Sequence, residues 1–111
     1  MLTSKSYQEI LHSKGLRLNQ LGIEEIALSR HDALRAIGFL ESDLIPILGG
    51  DVYYRSGSKI EVAYDNWHSD PVPEETQSDF LRRGWKTARE YIEAFPERQG
   101  VDLLFVLVVD R

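Results

Sequence analysis

Seven consecutive apolar residues, Leu103-Leu104-Phe105-Val106-Leu107-Val108-Val109, stand near the end of the chain. A strand with one face in water alternates apolar and polar residues. The unbroken run therefore predicts a strand over Val101 to Val109 that is covered on both faces or lies at the centre of a sheet. It is the core strand, and the remaining elements have to cover it.

A second strand signal lies upstream. Ile47 to Asp70, ILGGDVYYRSGSKIEVAYDNWHSD, reads as two strands joined by a tight turn and running into an acidic loop. Val52, Tyr53 and Tyr54 carry the β-branched and aromatic bias of one strand, and Ile60, Val62 and Tyr64 that of the other. Arg55-Ser56-Gly57-Ser58-Lys59 has the length of a hairpin loop, with Gly57 able to take a positive φ. Ile60, Val62 and Tyr64 alternate with Glu61, Ala63 and Asp65, which predicts one apolar face and one face toward water or a partner. Gly49-Gly50 interrupts the first strand and predicts a bulge or a close backbone approach. The glycine and lysine spacing of a phosphate-cradling loop is missing there.

Around this hairpin the chain offers three helices. Ser6-Tyr7-Gln8-Glu9 has capping-box spacing and predicts a helix from Tyr7 to about Lys14, ended by Gly15. Leu16 to Gly22 reads as a connector with turn chemistry at Asn19 and Gly22, and Ile23 to Leu28 as a strand. Ser29-Arg30-His31-Asp32 predicts a helix from Arg30 to Glu41. Thr76 or Ser78 caps the longest helix, on which Phe80, Gly84, Ala88, Tyr91, Ile92 and Phe95 form one stripe, widened by Leu81 and Trp85. Its bases, Arg82, Arg83, Lys86 and Arg89, are expected to pair with Asp79, Glu90 and Glu93 at helical spacing. Pro96 stops it.

The resulting order is β-α-β-β-α-β after an N-terminal helix. It predicts an α+β fold: a single sheet of about four strands with a central hairpin, packed by two to three helices. As the last strand of a split βαβ arrangement, the apolar run would lie at an edge and need a cover. A length of 111 residues fits one domain over residues 1–111. Without cysteine there is no disulfide, thiolate metal site or cysteine nucleophile. No apolar stretch is long enough to span a bilayer, and a secretory n-region does not follow Met1-Leu2-Thr3, so a cytoplasmic protein is expected, with no membrane partner. The net charge of −5 argues against a nucleic-acid partner.

That charge is concentrated. From Glu61 to Asp79 the chain carries Glu61, Asp65, Asp70, Glu74, Glu75 and Asp79 with no Lys or Arg, whereas the other 92 residues hold 12 acids and 13 bases. Such a block is a solvated loop or a landing site for a positively charged partner. Pro71-Val72-Pro73 stiffens it and lowers the ordering cost of binding. Trp67 beside it is either a core residue or, if exposed, an interface anchor. Asp51, Asp65, His68 and Asp70 form the one cluster with catalytic possibilities: Asp65 orienting His68 as a general base, or a set of metal ligands. The plainer reading has Asp65 and Asn66 capping a turn with His68 exposed.

Three stretches taken together, Ile45-Pro46-Ile47-Leu48-Gly49-Gly50-Asp51-Val52-Tyr53, Tyr64-Asp65-Asn66-Trp67, and the helix carrying Phe80, Arg83, Trp85, Ala88, Tyr91 and Ile92, resemble the immunity protein 40 family of bacterial polymorphic toxin systems. The resemblance spans roughly residues 20 to 109. It implies a non-enzymatic cytoplasmic protein, without cofactor or metal, that binds a toxin domain and blocks it. The charge pattern adds a basic surface on that toxin. The expected contact residues are Asp65, Trp67, Asp70, Glu74 and Glu75, with Asp51, Glu61 and His68 nearby. The alternative is a small metal-assisted or acid-base enzyme using Asp51, Asp65 and His68.

Overall fold

The computed structural model describes residues 4–110. Residues 1–3, which enter the reading of a missing secretory signal, lie outside them. The elements are α1 (Lys5–Lys14), β1 (Leu16–Arg17), β2 (Ile26–Ala27), α2 (Arg30–Ser42), β3 (Ile47–Ser56), β4 (Lys59–His68), α3 (Gln77–Ala94) and β5 (Asp102–Val109), with a 3₁₀ turn at Asn19–Leu21. The fold is α+β, as expected, but the sheet differs. Three antiparallel strands in the order β4-β3-β5 form it, and β1 and β2 make a separate two-stranded ribbon. The centre of the sheet is therefore β3, not the apolar β5.

The apolar run has its covers nonetheless. On one face Leu103, Phe105 and Leu107 pack with Val52, Ile47 and the buried stripes of α2 and α3. On the other, Leu104 and Val106 meet Tyr53, Ile60, Leu18 and Ala27. Unlike Leu103–Leu107, Val108 is exposed. The outer edge of β5 is closed by Leu28, whose N–H donates to the Phe105 carbonyl and whose carbonyl accepts from the Phe105 N–H, both at 2.8 Å. The strand expected over Ile23 to Leu28 is thus shorter and pairs at its end with β5. The expected connector contributes β1, because Leu16 and Arg17 pair with Ala27 and Ile26.

Helix starts follow local capping chemistry. Ser29 accepts from the Asp32 N–H and Thr76 from the Asp79 N–H. For α1 the cap is Ser4, which accepts from the Tyr7 N–H, rather than Ser6; the helix begins two residues earlier because the cap belongs to the residue before its first turn. At the other end of α2, Leu44 takes φ 56°, and the bonds Ile45 N–H to Leu40 carbonyl (2.9 Å) and Leu44 N–H to Glu41 carbonyl (3.2 Å) close a Schellman motif.

The helices are bolted by polar contacts across elements. Arg30 donates through Nη1 to the carbonyls of Ile92 and Glu93 (3.0 Å each) and through Nη2 to that of Phe95 (2.8 Å), placing a cation on the negative end of α3. Trp85 Nε1 donates to the Ile45 carbonyl at 2.8 Å, deep in the core. A Cβ at Gly84 would stand 2.7 Å from the Ile47 carbonyl oxygen, so glycine is what lets α3 lie this close to β3. The bases of α3 pair differently from the helical-spacing expectation: Arg82 does meet Asp79, but Arg83 reaches back to Glu75 and Arg89 across to Glu41 on α2.

Candidate protein-binding surface

The hairpin connection is two residues, Gly57-Ser58, between the paired Ser56 and Lys59, rather than five. Gly57 supplies the expected positive φ, 61°. Near this tip, Gln20 locks the outer edge of β4: its Oε1 accepts from the Ile60 N–H at 2.8 Å and its Nε2 donates to the Ser58 carbonyl at 3.0 Å.

Farther along, the hairpin opens. Val62 pairs with Tyr53 and Asn66 with Asp51, so Ala63, Tyr64 and Asp65 stand opposite Val52 alone. This bulge disrupts the expected alternation. Ile60 is buried, but Val62 is 39% exposed and Tyr64 88% exposed, with φ 63°. The apolar face read along β4 therefore ends at Ile60, where the cover from Leu18 to Gln20 runs out.

Both expectations for the glycine pair are met. The register against β5 shifts between Ile47 and Gly49, and a Cβ at Gly49 would strike the Trp67 carbonyl, one at Gly50 the Trp67 ring. Trp67 is consequently a core residue, 6% exposed, and stacks on Tyr91 with centroids 4.6 Å apart. Tyr91, Phe95 and Phe105 continue this aromatic row through the core. Trp67 is not available as the interface anchor expected of it. It is the floor under the surface.

The acidic loop is braced from below. Val72 to Glu75 form a turn with Pro73 second and Glu74 third; the Glu75 N–H donates to the Val72 carbonyl at 3.2 Å, and Glu74 has φ 66°, the geometry of a type II turn. Arg83 donates through Nε to Glu75 Oε2 (2.8 Å) and through Nη2 to Oε1 (2.9 Å), and Nη2 also meets the Asp70 carbonyl. This two-pronged bond holds the Glu75 carboxyl below the usual carboxylate range, against the opposing pull of desolvation. Glu75 is a brace of the loop and not a free contact.

The other expected residues divide accordingly. Glu61 is paired to Lys59 at 3.1 Å. Asp65, Asp70 and Glu74 are exposed and make no ion pair among the described residues, although the charge of Asp70 is felt at Arg83. The sheet separates Asp51 from Asp65. Desolvation first, and then the charges of Asp51 and Glu25, raise the pKa of Tyr53 on the ribbon face; desolvation first, and then Asp65, raise that of Tyr91 on the helix face. His68, exposed, stands three residues after Asp65 in β4, hence toward the opposite face. The Asp65–His68 dyad of the enzyme alternative is not assembled, nor is a turn at Asp65-Asn66, since both lie inside β4. Among the described residues no three His, Asp or Glu side chains are grouped as metal ligands. Tyr64 is the most exposed aromatic of this region; alternation along β4 places it on the apolar face, and only the bulge reveals it.

What remains is a surface of exposed carboxylates and one aromatic ring, on the open end of the hairpin and a braced loop. The sequence model of immunity protein 40 matches residues 17–109. The chain belongs to the immunity protein 40 family. No curated protein and no solved structure matches it. The span shared with immunity protein 40 takes in the hairpin, the acidic loop, α3 and β5, and leaves out α1. Membership in an immunity protein family supports an immunity role and a non-enzymatic one. No helix among the described residues is long and apolar enough to cross a membrane.

Proposed function

We propose that this chain is a single-domain antitoxin that acts in the bacterial cytoplasm, where it binds the toxin domain of a polymorphic toxin and neutralises it. Its contact is the open end of the β3–β4 hairpin together with the acidic loop. The observation that carries this reading is that Asp65, Asp70 and Glu74 stay exposed and without ion pairs among the described residues, in a chain whose family is named for immunity. Three of the six acids between Glu61 and Asp79, namely Glu61, Glu75 and Asp79, are answered within the chain. The other three are left for a partner, and a basic protein surface is the complementary one. Their field speeds encounter, while desolvated contacts at the centre of the interface slow release. Asp51 and His68 flank this surface on the sheet's other face.

Co-expression with the toxin domain encoded by the neighbouring gene tests the reading. A complex that copurifies through a tag on either partner, and that suppresses toxicity, is the expected result. A toxin domain that stays active and separate overturns it.

A further inference from the structure

Building on the proposed toxin-binding role, we infer that Tyr64 is the side chain that anchors the partner: a cationic protein receives its ring in a pocket, with Asp65 beside the rim. Tyrosine is a β-former with a bulky side chain, and the left-handed region at φ 63° is one it rarely takes. Folding gains nothing visible from it there. Tyr64 is 88% exposed, and its side chain makes no hydrogen bond or ring contact among the described residues. A strained, displayed aromatic held within a paired strand is the arrangement an interface anchor needs, because the backbone beneath it is already placed before binding.

The occupant follows from the surroundings. Exposed Asp65 adjoins Tyr64 and makes no ion pair among the described residues, and Val62, 39% exposed, lies on the same strand toward the tip, next to Glu61, whose charge is met by Lys59. A positively charged protein complements the unpaired Asp65, with Asp70 and Glu74 of the following loop adding charge of the same sign. Addition of a partner strand along β4 is disfavoured at both ends of the open edge. Gln20 already holds the Ile60 N–H, and the bulge at Ala63 to Asp65 breaks the ladder that a new strand would extend. The side chain, not the backbone edge, is what β4 offers.

Two variants separate anchoring from folding, since glycine and asparagine both tolerate the left-handed region. Tyr64→Gly and Tyr64→Asn are compared with the intact chain for thermal midpoint and for affinity to the neighbouring gene's toxin domain. The expected result is a midpoint equal to or above that of the intact chain, with affinity weakened at least about 30-fold, mainly through faster dissociation. Tyr64→Phe, which keeps the ring, retains most of the affinity. Affinities of both variants within about threefold of the intact chain overturn the inference while leaving the toxin-binding role standing. A lower midpoint in both overturns it too, because the tyrosine would then serve the fold. An intact chain that forms no complex removes the proposed function and this inference together.

Discussion

At the tip of the β3–β4 hairpin Ser56 pairs with Lys59 across Gly57-Ser58, and the left-handed residue there is a glycine. At the open end of the same hairpin and in the loop that follows, Tyr64 and Glu74 hold left-handed backbone with full side chains. The tip is closed by Gln20 and by Arg55, which meets Asp102 at 2.9 Å; the open end leaves its carboxylates to solvent. Where the chain only has to turn, it uses the residue that turns without strain. Where Tyr64 and Glu74 stand, it accepts strain and keeps a side chain on display. Leu44 shows that strain alone does not mark a contact surface, since its conformation is accounted for by the Schellman hydrogen bonds that end α2.

The contrast is broken most severely beneath the open end. Trp67→Ala removes the end of the aromatic row and is expected to cost about 3–5 kcal/mol, read by denaturant unfolding. A cost below about 1 kcal/mol would mean that Trp67 is not the floor described here. The two turns are expected to respond with opposite signs. Gly57→Ala forces a Cβ into the left-handed region and should destabilise by about 1 kcal/mol. Glu74→Gly relieves about 1–2 kcal/mol of the same strain and returns about 0.5–1 through the greater freedom of glycine in the unfolded chain, so a net gain of up to about 1.5 kcal/mol is expected. Equal signs for the two substitutions would dissolve the comparison.

The smallest effect is on pH. Because Arg83 depresses the pKa of Glu75 in the folded chain, the contribution of this brace is fully present above the ordinary glutamate range and is lost as pH falls through the depressed value. The protection of the Glu75 amide against exchange, corrected for the intrinsic pH dependence of exchange, should therefore persist through the ordinary carboxylate range and fall only below it. Arg83→Met, which removes the bonds to Glu75 and to the Asp70 carbonyl, should lower the protection of the turn already above the ordinary range. A turn that loosens at the same pH in both proteins would show that Arg83 does not brace it.

Much of this architecture is legible in the sequence because local chemistry decides it. Ser29 and Thr76 announce their helices, Gly57 its turn, and the apolar run of β5 its two covers. Gly49-Gly50 even signals both a register shift and the approach of another residue, though not that the residue is Trp67. What is not legible depends on distant partners. The two-residue strand β1 carries too little periodicity to be read, the strand read over Ile23 to Leu28 shortens to β2 and its bridge at Leu28, and Ser4 could be told from Ser6 as the cap only by hydrogen bonding. In the candidate surface, the run of acids was visible as charge, but its division into braces and free carboxylates is set by Lys59, Arg82 and Arg83. Tyr64 was hidden because alternation places it on a covered face until a bulge turns it out.

The most direct test of the central claim is the affinity of the neighbouring gene's toxin domain for the intact chain and for the triple variant Asp65→Asn, Asp70→Asn, Glu74→Gln, each measured across a range of salt concentrations. The expected result is a complex that weakens as salt rises, and a variant that binds more weakly with a shallower salt dependence. A complex of unchanged affinity and unchanged salt dependence in the triple variant would contradict the assignment of the open end of the hairpin as the toxin-binding surface.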